Sequence, residues 1–302
     1  MKTIHLTFQH PPDTWDNFLG TKLDEDSYDL LVKEDADVYT PEGEILFKFR
    51  KKCLNPEAAQ AAFPTLLGIK EASKNRGVAN GNLFLEKMKE PLYKKDGTLS
   101  KNKLNHGDKN FDLGSSVVIG FYDRYVRRPY CRETAFNAKD KIGWNKVLPF
   151  LQSCSDEYQK AAPESFQKQK AVADRTHPDW IIPKTNFTTI TVNQNWSTAC
   201  HKDVGDLKDG LSCITALRAG KYTGANLVFP HYRAAVNLDT LDLLMFNSHH
   251  IHGNTPLIGK VGGYKRVSLV LYFRENMVKC KSAAEELEIA KNRKPGDALW
   301  GE

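Results

Sequence analysis

From Phe187 onward apolar and polar residues alternate in short runs: FTTITVNQ, LSCITALRAG, GANLVFP, AAVNLDTLDLLMFN and YKRVSLVLYFREN. Alternation with period two puts successive side chains on opposite faces, so these runs predict strands. Lys208-Asp209-Gly210, Thr223-Gly224-Ala225 and Val261-Gly262-Gly263 separate them with turn formers. Many short strands at this spacing predict a sandwich or barrel. Upstream, Ile4, Leu6 and Phe8 alternate before Pro11-Pro12, and SSVVIGF at 115–121 reads as a buried strand. The spacing of Ala58, Ala61, Leu66 and Leu67, with Asn55 able to cap and Pro56 in the first turn, predicts a helix over 56–75. Two more helices are expected within 138–175, one around Trp144–Cys154 and one around Ser155–Lys170, and a surface helix over 281–293. Residues 24–44 are acidic, with a turn at Pro41-Glu42-Gly43. Residues 94–110 are Lys-rich without periodicity and read as an exposed loop.

The length, 302 residues at 34.2 kDa, fits one large domain. With 40% apolar and 26% charged residues the chain is not of disordered composition. No stretch approaches the roughly 18 apolar residues of a membrane span, and MKTIHLTFQHPPDTW contains no apolar signal run. A cytoplasmic protein without a membrane partner is expected. The cysteines (Cys53, Cys131, Cys154, Cys200, Cys213, Cys280) form no C-x-x-C pair, which excludes a zinc ribbon and favours free thiols.

Charge is unevenly spread. Residues 1–44 hold three Lys against eleven Asp/Glu, a net of −8, which leaves +14 on residues 45–302. A basic body suits a phosphate-bearing partner, because each contacted phosphate releases counterions. A solvated basic surface has the same composition.

His201-Lys202-Asp203 follows a predicted strand. Residues two apart on an extended chain project to the same side, so one metal can take both. His252 lies 51 residues later, between two further predicted strands. Two imidazoles and one carboxylate leave three coordination positions open. That is the facial triad of non-haem Fe(II), with room for a bidentate co-substrate and dioxygen. A lone H-x-D triplet is common by chance, so its company matters. Arg266 lies fourteen residues beyond His252 on the next strand, with Ser268 on the same face. An Arg-x-Ser pair can grip a distal carboxylate. A diacid that chelates iron at one end and meets Arg at the other describes 2-oxoglutarate. His249 and His250 crowd His252, but the HGNTP context favours His252 as third ligand and a packing or hydrogen-bonding role for His249.

His201-x-Asp203, His252, Arg266 and Ser268 resemble the double-stranded β-helix dioxygenases that use Fe(II) and 2-oxoglutarate. TTITVNQNWSTACHKDVGDLKDGL, YTGANLVFPHYRAAVNLDTLDLLMFNSHHIHGNTP and RVSLVLYFRE resemble more narrowly the TET and base-J-binding-protein branch, which hydroxylates methyl groups on pyrimidines in nucleic acid. GFYDRYVRRPYCRETAF and FRKKCLNPEAAQAAFPTLLGIKEASKNRGVANG are similar to its upstream part, the latter to phage-type members. The resemblance covers about residues 45–280. It implies an α+β chain with a jelly-roll, cupin-like core over about 112–280, flanking helices within a 45–302 domain, and an acidic segment 1–44 packed on that core. It implies Fe(II), 2-oxoglutarate and dioxygen as cofactors, and DNA containing 5-methylpyrimidine as the partner of a monomer. The expected reaction turns 5-methylcytosine into 5-hydroxymethylcytosine.

Residue by residue, Asp206 falls where the family places a side chain on the polar edge of the flipped base, and a carboxylate there can accept from a cytosine amino group. Tyr272 falls where the family places an aromatic on the base face. Arg274 stands where several members have a base-contacting histidine, a departure that leaves the base open. Each has a plainer alternative: Asp206 capping a turn, and Tyr272, Trp144 and Trp196 in the core. Arg132, beside Cys131, is a candidate for the second 2-oxoglutarate carboxylate, for DNA or for a structural ion pair. Arg124, Arg127 and Arg128 either track phosphates or form a solvated face, and His231, after Pro230, is expected at the surface. Alternatives for the whole chain are a thymine hydroxylase on DNA, a protein or small-molecule hydroxylase, and an inactive DNA-binding module.

Overall fold

The computed structural model describes residues 1–69, 79, 114–260, 262–294, 297, 298 and 300. The Lys-rich stretch 94–110 and the last residues of the helix expected over 56–75 lie outside the described residues. A nine-stranded sheet runs in the order β1 (Lys2–His5), β3 (Ala36–Tyr39), β4 (Ile45–Arg50), β12 (Leu243–Phe246), β8 (Ser212–Gly220), β15 (Tyr264–Tyr272), β7 (Thr189–Gln194), β5 (Ser115–Tyr122) and β6 (Arg132–Glu133). A four-stranded sheet orders β13 (Gly253–Asn254), β10 (Leu227–Phe229), β11 (Ala234–Val236) and β2 (Leu30–Val32). Strands β9 (Thr223–Gly224) and β14 (Leu257–Ile258) pair separately.

Alternation decides which face meets what. On β12, Leu244 and Phe246 join Val228's neighbours Leu227 and Phe229 in the space between the sheets, while Leu243 and Met245 face the helices. Phe47 of β4 stacks on Phe229 at 5.4 Å between ring centres. The outer face of β15, with Val267, Leu269 and Leu271, is sealed by Val147, Phe150, Leu151, Cys154 and Tyr158 of the helix Lys141–Ala161. Each large side chain so buried contributes about 1.5–3 kcal/mol. The helix Pro56–Gly68 begins at Asn55, whose side chain accepts from Ala58 N, as expected. Its C-terminal carbonyls are met from β7: Gln194 Nε2 donates to Leu66 O at 2.8 Å and Ile69 O at 2.7 Å.

Several expectations are corrected. The helices expected to divide at Cys154/Ser155 form one helix through Ala161, and the division falls at Pro163, the first residue of the helix Pro163–Ala173. Nothing at Ser155 breaks a helix, whereas proline is favoured in a first turn, where its missing N–H costs no helical hydrogen bond. The N-terminal segment, expected to pack on the core, also supplies strands to both sheets. β1 and β3 build the edge of the large sheet, and β2 pairs in parallel with β11 of the small one. Cys131 and Cys280 are joined as a disulfide, while Cys53, Cys154, Cys200 and Cys213 are free. His231 is buried at 2% exposure, with its ring stacked on Trp15 at 4.3 Å. Trp144 is in the core as expected; Trp196 instead lines a cleft.

Candidate active site

Where β5, β7, β15 and β8 lie side by side, the inward face turns polar. Register sets Ser116 opposite Asn193, Asn193 opposite Ser268, and Ser268 opposite Ala216. The next inward row is Val118, Thr191, Val270 and Ile214. These rows floor a cleft of about 350 Å³ whose lining also includes Trp196, His201, Asp203, Asp206, His252, Arg266, Tyr272 and Arg274. The alternation in TTITVNQ already carries the signal for Thr191 and Asn193, although neither stood out as a site residue.

At one wall, His201 and His252 form an isolated antiparallel bridge, each backbone N–H donating to the other's carbonyl at 2.9 and 3.0 Å. Asp203 is anchored by its N–H to Ser248 O at 3.0 Å. The imidazole Nδ1 of His201 lies 2.8 Å from Ala199 O, and that of His252 lies 2.9 Å from His250 O. A carbonyl only accepts, so each Nδ1 carries the proton and each Nε2 keeps its lone pair. Those Nε2 atoms stand 3.6 and 3.5 Å from the two Asp203 oxygens. The three ligand atoms lie within 4.8 Å of one another, a set that could hold one metal ion, and His249 is not part of it. Burial would raise the Asp203 carboxyl, but the imidazoles of His201 and His252 outweigh it and hold it at about 2. A carboxylate beside two imidazoles that turn their Nε2 atoms toward it is the donor chemistry of Fe(II).

Further along the cleft Arg266 is buried at 2% exposure. Its Nη1 donates to Ser268 Oγ at 2.8 Å, and its Nε has no hydrogen-bond partner. No Asp or Glu forms an ion pair with it among the described residues. A desolvated guanidinium without an acid is expensive to bury. It fits an anionic ligand that enters the cleft, such as the distal carboxylate of 2-oxoglutarate.

Asp206 is buried beside the metal-binding set. Its Oδ2 accepts from Ser212 Oγ at 2.6 Å and Ser248 Oγ at 3.0 Å. Burial, with Asp203 nearby, pushes its carboxyl well above the ordinary range, and the two serines and Arg274 offset this only in part. Tyr272 lines the cleft from β15, its hydroxyl 3.4 Å from Thr191 Oγ1. Arg274 also lines it, but its Nε is committed to Asp123 at 2.8 Å. Arg132 stands apart from this set. Its guanidinium packs over the rings of Tyr122 at 4.6 Å and Tyr125 at 5.0 Å, outside the cleft lining. Arg124 is buried against Glu286, neither a phosphate contact nor part of a solvated face.

The family described as the oxygenase domain of the 2OGFeDO superfamily, Tet_JBP, matches residues 118–275, over half of the chain. The chain belongs to the Tet/JBP family. Its cofactors are those of that superfamily: Fe(II), 2-oxoglutarate and dioxygen. Among Tet/JBP relatives, the bifunctional helicase and thymine dioxygenase JBP2 of Trypanosoma brucei brucei is 32% identical over 202 residues, 65% of this chain and 18% of that protein. Thymine dioxygenase JBP1 of Leishmania braziliensis is 34% identical over 176 residues, 56% of this chain and 21% of that protein. The chain thus spans about a fifth of the length of these relatives. The solved structure of NgTET1 in complex with 5mC DNA shares the fold, with a TM-score of 0.57 at 12% identity over 90% of each chain. The two-sheet core is therefore the double-stranded β-helix of Tet/JBP oxygenases.

Proposed function

We propose that this chain hydroxylates the methyl group of a 5-methylpyrimidine in DNA, and that the base is 5-methylcytosine, giving 5-hydroxymethylcytosine. The observation that carries the oxygenase chemistry is one cleft holding His201, Asp203 and His252 at one wall and the acid-free, buried Arg266 further along. His201, Asp203 and His252 hold Fe(II). When bound, the iron supplies the dioxygen chemistry that couples decarboxylation of 2-oxoglutarate to oxidation of a C–H bond. Arg266 and Ser268 hold the distal carboxylate of 2-oxoglutarate and so fix which way the co-substrate lies. The hydrogen bonds on each Nδ1 keep both imidazoles in the tautomer that presents Nε2.

The DNA substrate is supported by the names of the relatives and by the charge of +14 beyond residue 44. A methyl group in a duplex is out of reach of a cleft unless the nucleotide is extruded. Tyr272 then offers a ring to the base, Asp206 a hydrogen-bonding edge, and the terminal nitrogens of Arg274 a donor to a base carbonyl. A second reading takes thymine as the base, favoured by the thymine dioxygenases JBP2 and JBP1 among its relatives. Mass spectrometry of nucleosides tests both. Protein, Fe(II) and 2-oxoglutarate are incubated with DNA containing 5-methylcytosine or only thymine. 5-Hydroxymethylcytosine is expected; 5-hydroxymethyluracil alone moves the assignment to thymine, and no oxidised base in either DNA overturns the DNA reading.

A further inference from the structure

His201 and His252 meet across a single residue pair, closed by the two backbone hydrogen bonds between them. A strand pair that short is marginal by itself. One residue before His201, the chain is paired to the acidic N-terminal segment instead. Cys200 N–H donates to Thr21 O and Gly20 N–H donates to Cys200 O, both at 2.8 Å. Gly20 makes this approach at a φ of +76°, a left-handed conformation that glycine adopts without a Cβ clash. Thr21 is fixed in turn by its N–H and its Oγ1, which donate to Phe18 O at 3.0 and 2.7 Å.

The side chains repeat the pattern. Cys200 directly precedes His201, and Ile251 directly precedes His252. Both are fully buried, neither lines the cleft, and they share one apolar cluster with Leu23, Val228 and Ala235. Phe18 and Leu19 pack against that cluster. Apolar side chains of the N-terminal segment thus back both imidazole-bearing segments from the side away from the cleft. Lys202, between His201 and Asp203, donates from Nζ to Asp16 Oδ1 at 3.0 Å. The N-terminal segment is itself pinned on either side of these contacts. Trp15 stacks on His231, and Asp29 Oδ2 accepts from Arg233 Nε at 2.6 Å.

We propose that residues 16–23 are a strap that positions the metal ligands and sets the affinity for Fe(II). One ion can take His201, Asp203 and His252 together only if the His201–Asp203 loop stays against His252. The strap holds that loop by its backbone at Cys200, by a buried apolar face at Leu23 and by charge at Asp16. A loop ordered beforehand need not be ordered by the metal, so the ion binds more tightly. Leu23 is accordingly a positioning residue, acting on iron through Cys200 and Ile251. The inference rests on the assignment of His201, Asp203 and His252 as iron ligands.

The test titrates the full chain with Fe(II) under anaerobic conditions, against a competing chelator, and records the absorption spectrum of the Co(II)-loaded protein. Leu23→Ala is expected to weaken Fe(II) binding about ten-fold or more, the scale of losing support behind metal ligands, and to alter the Co(II) spectrum. Leu23→Met is expected to restore both. Leu151→Ala is the control: it opens a cavity in the core between the helices and the large sheet, remote from the ligands. It is expected to lower the urea midpoint while leaving Fe(II) affinity and the Co(II) spectrum as in wild type. Should Leu23→Ala fail to fold, Leu23→Val is read in its place, with about three-fold weaker binding expected. Wild-type affinity in the folded Leu23 variant overturns the strap, and so does an equal loss in Leu151→Ala. Wild-type protein that takes up no Fe(II), or keeps it in His252→Ala, is a different failure: the ligand assignment falls, and the strap with it.

Discussion

Arg266 Nη1 sits 2.8 Å from Ser268 Oγ, two residues along the inward face of β15. The strand thus presents a cation and a hydroxyl to the same point of the cleft. Losing the charged partner of a buried carboxylate costs about 2–5 kcal/mol. Arg266→Ala is therefore expected to weaken 2-oxoglutarate binding by roughly two orders of magnitude or more. Ser268→Ala is expected to cost about 1 kcal/mol. Titration of 2-oxoglutarate against the Fe(II)-loaded protein measures both, and an unchanged affinity in Arg266→Ala would exclude it as the anchor.

His252 and His249 are separated by only two residues, yet only His252 joins the ligand set. His252→Ala is expected to lose stoichiometric iron and all turnover. His249→Ala is expected to keep iron, with a modest loss of stability. Metal content after dialysis distinguishes the two, and the reverse pattern would reassign the ligand.

Asp206 is hydrogen-bonded to two serines at the edge of the cleft. If it reads the exocyclic group of the base, Asp206→Ala leaves DNA binding nearly intact, slows hydroxylation and narrows any preference between 5-methylcytosine and thymine. A good base contact is worth about 1–3 kcal/mol of discrimination. Competition between the two substrates gives the ratio; a preference identical to wild type removes Asp206 from base reading.

Burial pushes the His231 imidazole down to about 4 from the usual 6.5. As pH falls through the window from 6.5 to 4, the unfolded chain takes up a proton that the folded chain refuses. Stability is therefore lost as pH drops across that window, by roughly 1–3 kcal/mol. His231→Phe should flatten the slope of urea midpoints between pH 7 and 4.5, while a slope equal to wild type would place the proton uptake elsewhere.

Much of the core was legible because alternation is a local signal. TTITVNQ and YKRVSLVLY state both the strand and which residues face the cleft. H-x-D and R-x-S were legible for the same reason, since period two fixes their common side. What escaped depends on contacts with no local trace. Cys131 and Cys280 are 149 residues apart, and Glu286 meets Arg124 across 162. Arg132 reads the same whether it faces a carboxylate or three tyrosines. His231 is buried because Trp15, from the acidic segment, folds over it.

That segment also governs the order of assembly. Leu30 of β2 lies beside Ala234 of β11 in register, so a strand made early waits for about 200 residues before its partner exists. Contacts of such separation are closed late, at an entropic cost that slows folding. Emerging from a ribosome, the chain can build its helices and the β3–β4 hairpin in sequence, but the small sheet cannot close until β11 is synthesised. The small sheet is thus completed by one of the last events of folding, and a chain cut before residue 234 lacks the strand that pairs with both β2 and β10.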